Sequence, residues 1–284
     1  MPLAAFTSPS DSIARFALPV GGTTVTLGHP TGLEDLLLVE CSDDDAVAAL
    51  ALTQRLAHAT NGSEIVWTEL AATDLDVMIL RLRQALLGDR IVSELHCHGE
   101  DCGSRIDISF SIEAYIDHHR PKPPPVRGRV WRVLACTDEP GWFHLSIHVP
   151  QSAAVSVRFR LPTVSDQIYA AGQRDPETTL ARVCIRPEHI AGPLRRRIET
   201  AMHALGPSLV GELQGQCPDC GTLVRARFDP RHYCLQELRD RARFIYGDVD
   251  VLAHRYHWAE QSIIAMPNAR RANYVELALA GGSA

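Results

Sequence analysis

Asp219-Cys220-Gly221-Thr222 resembles an earlier stretch of the chain, Asp101-Cys102-Gly103-Ser104, and in both places a Phe and then a Tyr follow at the same intervals. A second pair of similar stretches lies upstream of these, Arg-Phe-Ala-Leu-Pro at 15–19 and Arg-Phe-Arg-Leu-Pro at 158–162. Such self-similarity predicts an internal duplication. The upstream pair is more widely separated along the chain than the cysteine pair. The first copy is then longer in its middle, which a surface loop and an extra helix accommodate at little cost.

The order of helix and strand patterns predicts a helix-rich α+β fold made of two duplicated modules, each with a cysteine knuckle and short strands. Residues 121–125 (Pro-Lys-Pro-Pro-Pro) are typical of an extended, semi-rigid linker. Aromatic and β-branched residues after it predict strands at 130–134, 143–147 and 155–159. We therefore divide the chain into a first module, a linker with short strands, a second module and a C-terminal helical tail, at 1–120, 121–157, 158–233 and 234–284.

Helical periodicity is clearest before the first knuckle and at the C-terminus. A helix is predicted from Thr73 to Leu87, with Thr73 and Asp76 at capping-box spacing and Gly88 as its end. The final part of the chain, from 235 onward, is helical throughout and has no counterpart in the first copy. Its four predicted helices cover 235–245, 249–258, 260–265 and the residues from 267 to the glycines at 281–282.

Cys217 and Cys220 form half of a metal site, because two thiolates separated by two residues bind one tetrahedral ion. A closed structural site needs four ligands, and no second Cys-x-x-Cys follows. The duplication indicates where the other half lies, since the matching position of the first copy holds Cys97 and Cys102. If the two copies face each other, Cys97, Cys102, Cys217 and Cys220 hold one structural zinc ion between them.

Two other interpretations of the knuckles stay open at this point. His232 and Cys234 are rival ligands for the second knuckle, and the histidines His96 and His98 flank the first one. Alternatively, the cysteines bind no metal and are small buried side chains.

Composition and motifs argue against an enzyme, a nucleic-acid binder or a membrane protein. His98-Gly99-Glu100 has the His-x-Glu letters of zinc deaminases but lies inside the first knuckle, and phosphate-binding glycine loops, nucleophile elbows and His-Glu-x-x-His are missing. Residues 1–157 carry 11 − 20 = −9 charges and residues 158–284 carry 17 − 14 = +3, unlike a strongly basic nucleic-acid binder. We expect no small-molecule ligand and, without a long apolar run or a signal peptide, no membrane partner.

The C-terminal run from Tyr256 to Leu277 carries a longer pattern, Tyr-x-Trp-x-Glu, two apolar residues, a Pro and then Arg-Arg-x-x-Tyr-x-Glu-Leu. With the preceding Cys-x-x-Cys-Gly strand and the helix from Leu235, it resembles baseplate hub and baseplate assembly proteins of T-even-type bacteriophages and related contractile injection systems. The resemblance covers about residues 160–280, and the first module looks like a divergent copy of the same unit. Ala259 departs from the pattern, because such proteins usually place a Ser or Thr helix cap there.

This resemblance implies a noncatalytic structural or assembly role in the hub region of a contractile phage-tail-like baseplate. The partners are then other baseplate or hub proteins of the same particle, met in the cytoplasm during assembly. Aromatic, apolar and arginine side chains are the usual anchors of fixed interfaces, and the tail offers Tyr256, Trp258, Ile263, Ile264, Met266, Arg270, Arg271 and Tyr274. A transient hub-assembly chaperone and a zinc-knuckle nucleic-acid-binding module are the alternatives.

Overall fold

A computed structural model describes residues 12–41, 44–123, 131–147, 155–188, 190 and 192–281. The chain is a helix-rich α+β protein, with 49% helix and 24% strand, which confirms the predicted class. The strands are β1 (Ser12–Ala17), β2 (Thr24–Gly28), β3 (Ala57–Ala59), β4 (Arg90–His96), β5 (Arg105–Ser111), β6 (Trp131–Ala135), β7 (Trp142–Ile147), β8 (Val155–Arg160), β9 (Ile185–Arg186), β10 (Gly211–Gln216) and β11 (Leu223–Phe228). The helices are α1 (Gly32–Glu40), α2 (Asp45–Leu56), α3 (Ala72–Leu87), α4 (Ile112–His118), α5 (Val164–Ala171), α6 (Pro176–Cys184), α7 (Gly192–Leu205), α8 (Pro230–Ala242), α9 (Ile245–Tyr256), α10 (Glu260–Ile264) and α11 (Asn268–Ala280).

The strands form small antiparallel sheets and hairpins. One sheet has the order β1-β2-β3 and another β6-β7-β8-β9, while β4-β5 and β10-β11 are separate hairpins. The three strands predicted after the proline linker are therefore correct, but they share a sheet with β9 of the second module. Residues 124 and 125 of the predicted proline linker lie outside the described residues, as do the five residues that follow it.

The two modules repeat the same order of elements. In each, a strand leads to a threonine-capped helix, a second helix, a short returning strand, a longer helix, a knuckle hairpin and a further helix. Thr31 and Glu34 form a capping box at α1, and Thr163 and Asp166 form one at α5. These two threonines are the equivalent positions, and they lie closer together along the chain than the two upstream Arg-Phe stretches do. The first copy is therefore longer than the second by fewer residues than the separation of the two Arg-Phe stretches predicts.

Pairing Arg15–Pro19 with Arg158–Pro162 was therefore wrong. The first stretch comes from β1 and the turn that leads to β2, whereas the second comes from β8 and the two residues that lead to the N-cap of α5. In both places Leu-Pro follows a strand. The neighbouring residues do not show whether the chain then makes a hairpin turn or begins a helix.

The predicted capping box at Thr73 and Asp76 was also wrong. Helix α3 starts after Ala71 without a side-chain cap and ends at Gly88 as expected. The Thr73 hydroxyl instead donates to the carbonyl oxygen of Pro207 (2.9 Å), and Asp76 accepts from Arg231 Nε at 2.8 Å. Both side chains are buried, because α3 lies against the second module.

The main core is shared by both modules. It contains Leu75, Met78 and Leu80 of α3 together with Leu235 and Leu238 of α8, all buried. Helix α8 thus crosses the boundary predicted between residues 233 and 234 and packs against α1, α2 and α3. A smaller core, with Phe159, Leu145 and Ile198 at its centre, lies under the β6-β7-β8-β9 sheet, and this sheet belongs to the second module.

The tail helices α9, α10 and α11 match the predicted ones to within a few residues, and α11 docks on the first module. The segment before α11 pairs with the start of α1, through Asn268 N and Pro30 O at 3.0 Å. In the same way, the segment before α3 pairs with the start of α5, through Ala72 N and Pro162 O at 3.1 Å. The tail therefore docks on the first module as α3 docks on the second.

Among the residues that the structure describes, no helix combines the length and apolar character that a membrane-spanning segment needs.

Candidate metal centre

Two hairpins present the four knuckle cysteines. Strands β4 and β5 pair as far as His96 and Arg105, and Cys97 N then donates to Ser104 O at 2.8 Å. The second hairpin repeats this closure, with Cys217 N donating to Thr222 O at 2.9 Å. Each turn contains a glycine in the left-handed region, which lets the chain reverse without steric strain.

The two knuckles face each other, as the duplication predicted. Cys97 Sγ lies 3.5 Å from Cys220 Sγ, and Cys102 Sγ lies 3.8 Å from Cys217 Sγ. The first cysteine of each knuckle thus meets the second cysteine of the other, which is the arrangement that a local two-fold axis produces. All four sulfur atoms lie within 4.8 Å of one another.

This geometry fits a tetrahedral metal ion. Four thiolates at the usual zinc–sulfur distance of about 2.3 Å have sulfur–sulfur separations of about 3.8 Å. The observed separations fall close to this value, and they are far too long for a disulfide bond of about 2.05 Å. All four cysteines are free thiols in the structure.

The surroundings of the four sulfurs are partly apolar and supply hydrogen bonds. Cys97 and Cys217 are buried and pack with Val224, while Cys220 is exposed. The Gly99 amide donates to Cys97 Sγ at 3.3 Å. On the second knuckle, Thr222 Oγ1 lies 3.2 Å from Cys220 Sγ. Such hydrogen bonds orient metal ligands and support the charge of thiolates.

Two thiols of the cluster have opposite pKa shifts. Hydrogen bonds from the hydroxyl and amide of Thr222, with smaller contributions from Cys102 and Cys97, lower the pKa of Cys220 to about 6. At Cys97, the hydrogen bond from Gly99 lowers the pKa, but desolvation and the neighbouring thiols outweigh it and raise the pKa to about 12. One thiolate beside a protonated thiol is the expected state of such a cluster without a metal ion, because adjacent thiolates repel one another.

The rival ligands point elsewhere. His232 Nδ1 lies 2.7 Å from Asp45 Oδ2, and Cys234 is buried in the main core. His96 and His98 are exposed, and neither belongs to the cluster. The described residues therefore bring together the four predicted ligands and none of these rivals.

The predicted interface residues of the tail fall into three groups, which are buried, exposed and half-buried. Ile263, Ile264 and Arg271 are buried, so the expectation that they contact a partner is wrong. Ile263 packs among the tail helices and Ile264 lies beside Gly32 at the start of α1. The Arg271 guanidinium forms ion pairs with Asp35 and Asp248 of the same chain. Arg270 is exposed on the same helix.

The tail aromatics form a compact cluster of their own. Trp258 stacks on Tyr256 with ring centroids 4.8 Å apart and meets Tyr274 edge-on at 4.9 Å. All three are half-buried, as is Met266, so each presents part of its side chain to solvent and part to the tail.

Sequence reasoning missed other apolar side chains that the tail exposes. Leu277 and Leu279 on α11 are 62% and 60% exposed, and Phe244 and Tyr246 near the start of α9 are 58% and 52% exposed. Leu279 lies off the helix face that carries Tyr274 and Ala278, whereas Leu277 follows Tyr274 at the three-residue spacing of a shared face, so only the exposure of Leu279 had a signal in the sequence.

Comparison of the chain with protein-family models, with curated proteins and with solved structures finds no match.

Gly99→Ala is expected to weaken metal binding by about 10- to 100-fold, the usual effect of disturbing the groups that orient metal ligands. A β-carbon at this position would lie 2.8 Å from Thr222 Oγ1 and 3.1 Å from Cys220 Sγ, so both the hydroxyl and the sulfur must move away from the new methyl group. Competition with a chromophoric chelator measures the affinity. Gly215→Ala is the matched control, because its β-carbon would meet no atom within 4 Å. Equal affinities of the two variants would contradict the geometry.

Proposed function

We propose that this protein is a noncatalytic structural or assembly component of the hub region of a contractile phage-tail-like baseplate, and that a structural zinc ion joins its two modules. The observation that carries the structural part is the four-thiol cluster built from both knuckles. The resemblance of residues 160–280 to hub and assembly proteins supports the choice of particle.

The donor set supports a structural rather than a catalytic ion. Four cysteines complete a tetrahedral shell, whereas catalytic zinc keeps one position for water or substrate. Soft thiolates in tetrahedral geometry select zinc or an iron–sulfur centre, and zinc suits a purely structural role because it has no redox chemistry. The ion would link β4-β5 of one module to β10-β11 of the other, since each hairpin supplies two ligands.

The side chains that the C-terminal tail exposes support the proposal that the protein acts by binding other proteins. Its exposed apolar side chains, led by Leu277 and Leu279, are of the kind that interfaces bury. Charge near the second knuckle favours a protein partner over a nucleic acid, because Arg225 on β11 is accompanied by Glu212 on β10, with Nη1 and Oε2 3.9 Å apart. A strand face that binds single-stranded nucleic acid needs unopposed basic groups and aromatic platforms.

The proposal is tested by counting copies of the protein in contractile particles purified from the native host, by quantitative mass spectrometry, and comparing them with its abundance in the soluble lysate. A fixed copy number per particle is expected. Absence from particles with enrichment beside hub proteins in the lysate would favour the assembly chaperone. Absence from both would overturn the baseplate assignment.

Leu277→Ser is expected to reduce incorporation into particles several-fold without destabilising the isolated protein. The side chain is 62% exposed, so serine removes apolar contact area from a partner but little from the fold. The matched control is Leu134→Ser on β6, which is 61% exposed but far from the tail in sequence. The expectation fails if both variants enter particles as well as the natural protein does.

A further inference from the structure

A second group of side chains of types that bind metals lies at the β6-β7 hairpin, on different strands from the two knuckles. Cys136, Asp138 and His144 each place one ligand atom within 4.8 Å of the other two. Cys136 directly follows β6, Asp138 is in the turn, and His144 is on β7. The proposed baseplate role and the four-cysteine centre make no use of this group.

The hairpin register explains why the three side chains converge. Leu134 is paired with His144, and Cys136 N continues the ladder by donating to Trp142 O at 2.8 Å. Because alternate residues of a strand share a face, Cys136 and His144 are diagonal neighbours on the face opposite the core residues Phe143 and Leu145. The tight turn, closed by Gly141 with φ +83, brings Asp138 back over that face.

Charges around the group are balanced. Arg158 Nη2 lies 2.9 Å from Asp138 Oδ2, and Arg158 Nη1 lies 3.2 Å from Glu139 Oε2. Arg186 Nη1 binds the other oxygen of Glu139 at 2.9 Å. Two guanidinium groups thus match two carboxylates, and these contacts hold the turn, and with it Asp138, in place.

We propose that Cys136, Asp138 and His144 bind a second divalent metal ion of the zinc class, with one coordination position open to water. Thiolate, carboxylate and imidazole are all common zinc ligands, and three protein ligands plus water is the pattern of an open zinc site. Arg158 acts behind the ligands, because its hydrogen bond orients the Asp138 carboxylate. Asp138 is exposed and Cys136 is buried, so the ion would sit at the protein surface with one side toward solvent.

The site is tested by titrating the metal-free full-length chain with Co²⁺, which replaces zinc and reports thiolate ligands through its absorption. Two ions per chain are expected, and the sulfur-to-cobalt charge-transfer band of the second ion should be weaker, because one thiolate contributes instead of four. His144→Ala and Cys136→Ser should each bind one ion fewer and keep the four-cysteine spectrum. His118→Ala, which removes an exposed histidine at the end of α4, is the matched control.

One ion per chain in the natural protein would overturn the proposal, as would two ions retained in both His144→Ala and Cys136→Ser. Circular dichroism of each variant shows whether it folds. If Cys136→Ser does not fold, Asp138→Asn tests the same site at an exposed position. Because the four-cysteine spectrum is read in the same titration, failure of this site is distinguishable from failure of the zinc centre in the proposed function.

Discussion

Cys217→Ser is expected to abolish the four-cysteine metal centre and to lower the melting temperature by about 10 °C. A metal ion present at about 1,000 times its dissociation constant stabilises the folded state by about 4 kcal/mol, and in a chain of this size about 1 kcal/mol corresponds to a shift of about 2–4 °C. Serine cannot replace the thiolate, because its hydroxyl stays protonated. Cys217 is only 2% exposed and faces Cys102 of the other module, so its loss should also separate the two hairpins.

Calorimetry with and without a strong chelator separates the metal contribution from the packing contribution. The chelator should bring the natural protein close to the melting temperature of the variant and shift the variant far less, because Cys136, Asp138 and His144 hold the only ion left for it to remove from the described groups. Cys41→Ser is the matched control, since Cys41 lies at the end of α1 outside the cluster and is only partly buried. A natural protein that does not respond to the chelator and carries no metal when freshly purified would refute the structural zinc.

Arg271→Ala is expected to destabilise the protein by about 3–5 kcal/mol, because removal of one partner leaves a buried charge without compensation. Arg271 is 4% exposed and forms an ion pair with Asp35 of α1, and its Nε lies 2.9 Å from Asp248 Oδ2. It therefore ties α11 and α9 to the first module. Urea denaturation at pH 7 measures the loss, and Arg270→Ala, at the exposed neighbouring position, should change the free energy of unfolding by less than about 0.5 kcal/mol.

The destabilisation by Arg271→Ala should decrease as the pH falls. Desolvation already raises the pKa of Asp35 in the natural protein, although Arg271, Asn268 and Arg241 oppose it. Without Arg271 the pKa rises further, so the folded variant binds a proton more readily than the unfolded chain does. Asp35 titrates alike in the two unfolded chains, so the penalty is largest above the pKa of Asp35 in the folded variant and decreases until the pH reaches the lower pKa of Asp35 in the folded natural protein. The same destabilisation at pH 7 and pH 4.5 would show that Asp35 is not the group left without a partner.

The cluster of four cysteines was predictable because its sequence signal is local and duplicated. Two cysteines two residues apart mark half of a tetrahedral site, and a repeat with Cys97 and Cys102 at the matching position indicates the other half. The same reasoning left His232 and Cys234 as alternative metal ligands, because their separation from the second knuckle along the chain does not show where their side chains point. Only the folded chain shows that His232 turns to Asp45 and that Cys234 enters the core.

By itself, the sequence determined the helix-rich α+β class, the strands after the linker, the tail helices and the four cysteines, because periodicity, turn residues and ligand spacing act over a few residues. Tertiary structure alone decided that Thr73 and Asp76 bind the second module instead of capping α3, that Arg271 is buried beside Asp35, and that the tail docks on α1 as α3 docks on α5. The physical reason is that a hydrogen bond is stronger when it is buried away from water, so a polar side chain binds the partner with which it can form a buried hydrogen bond. For these residues that partner lies far away along the chain.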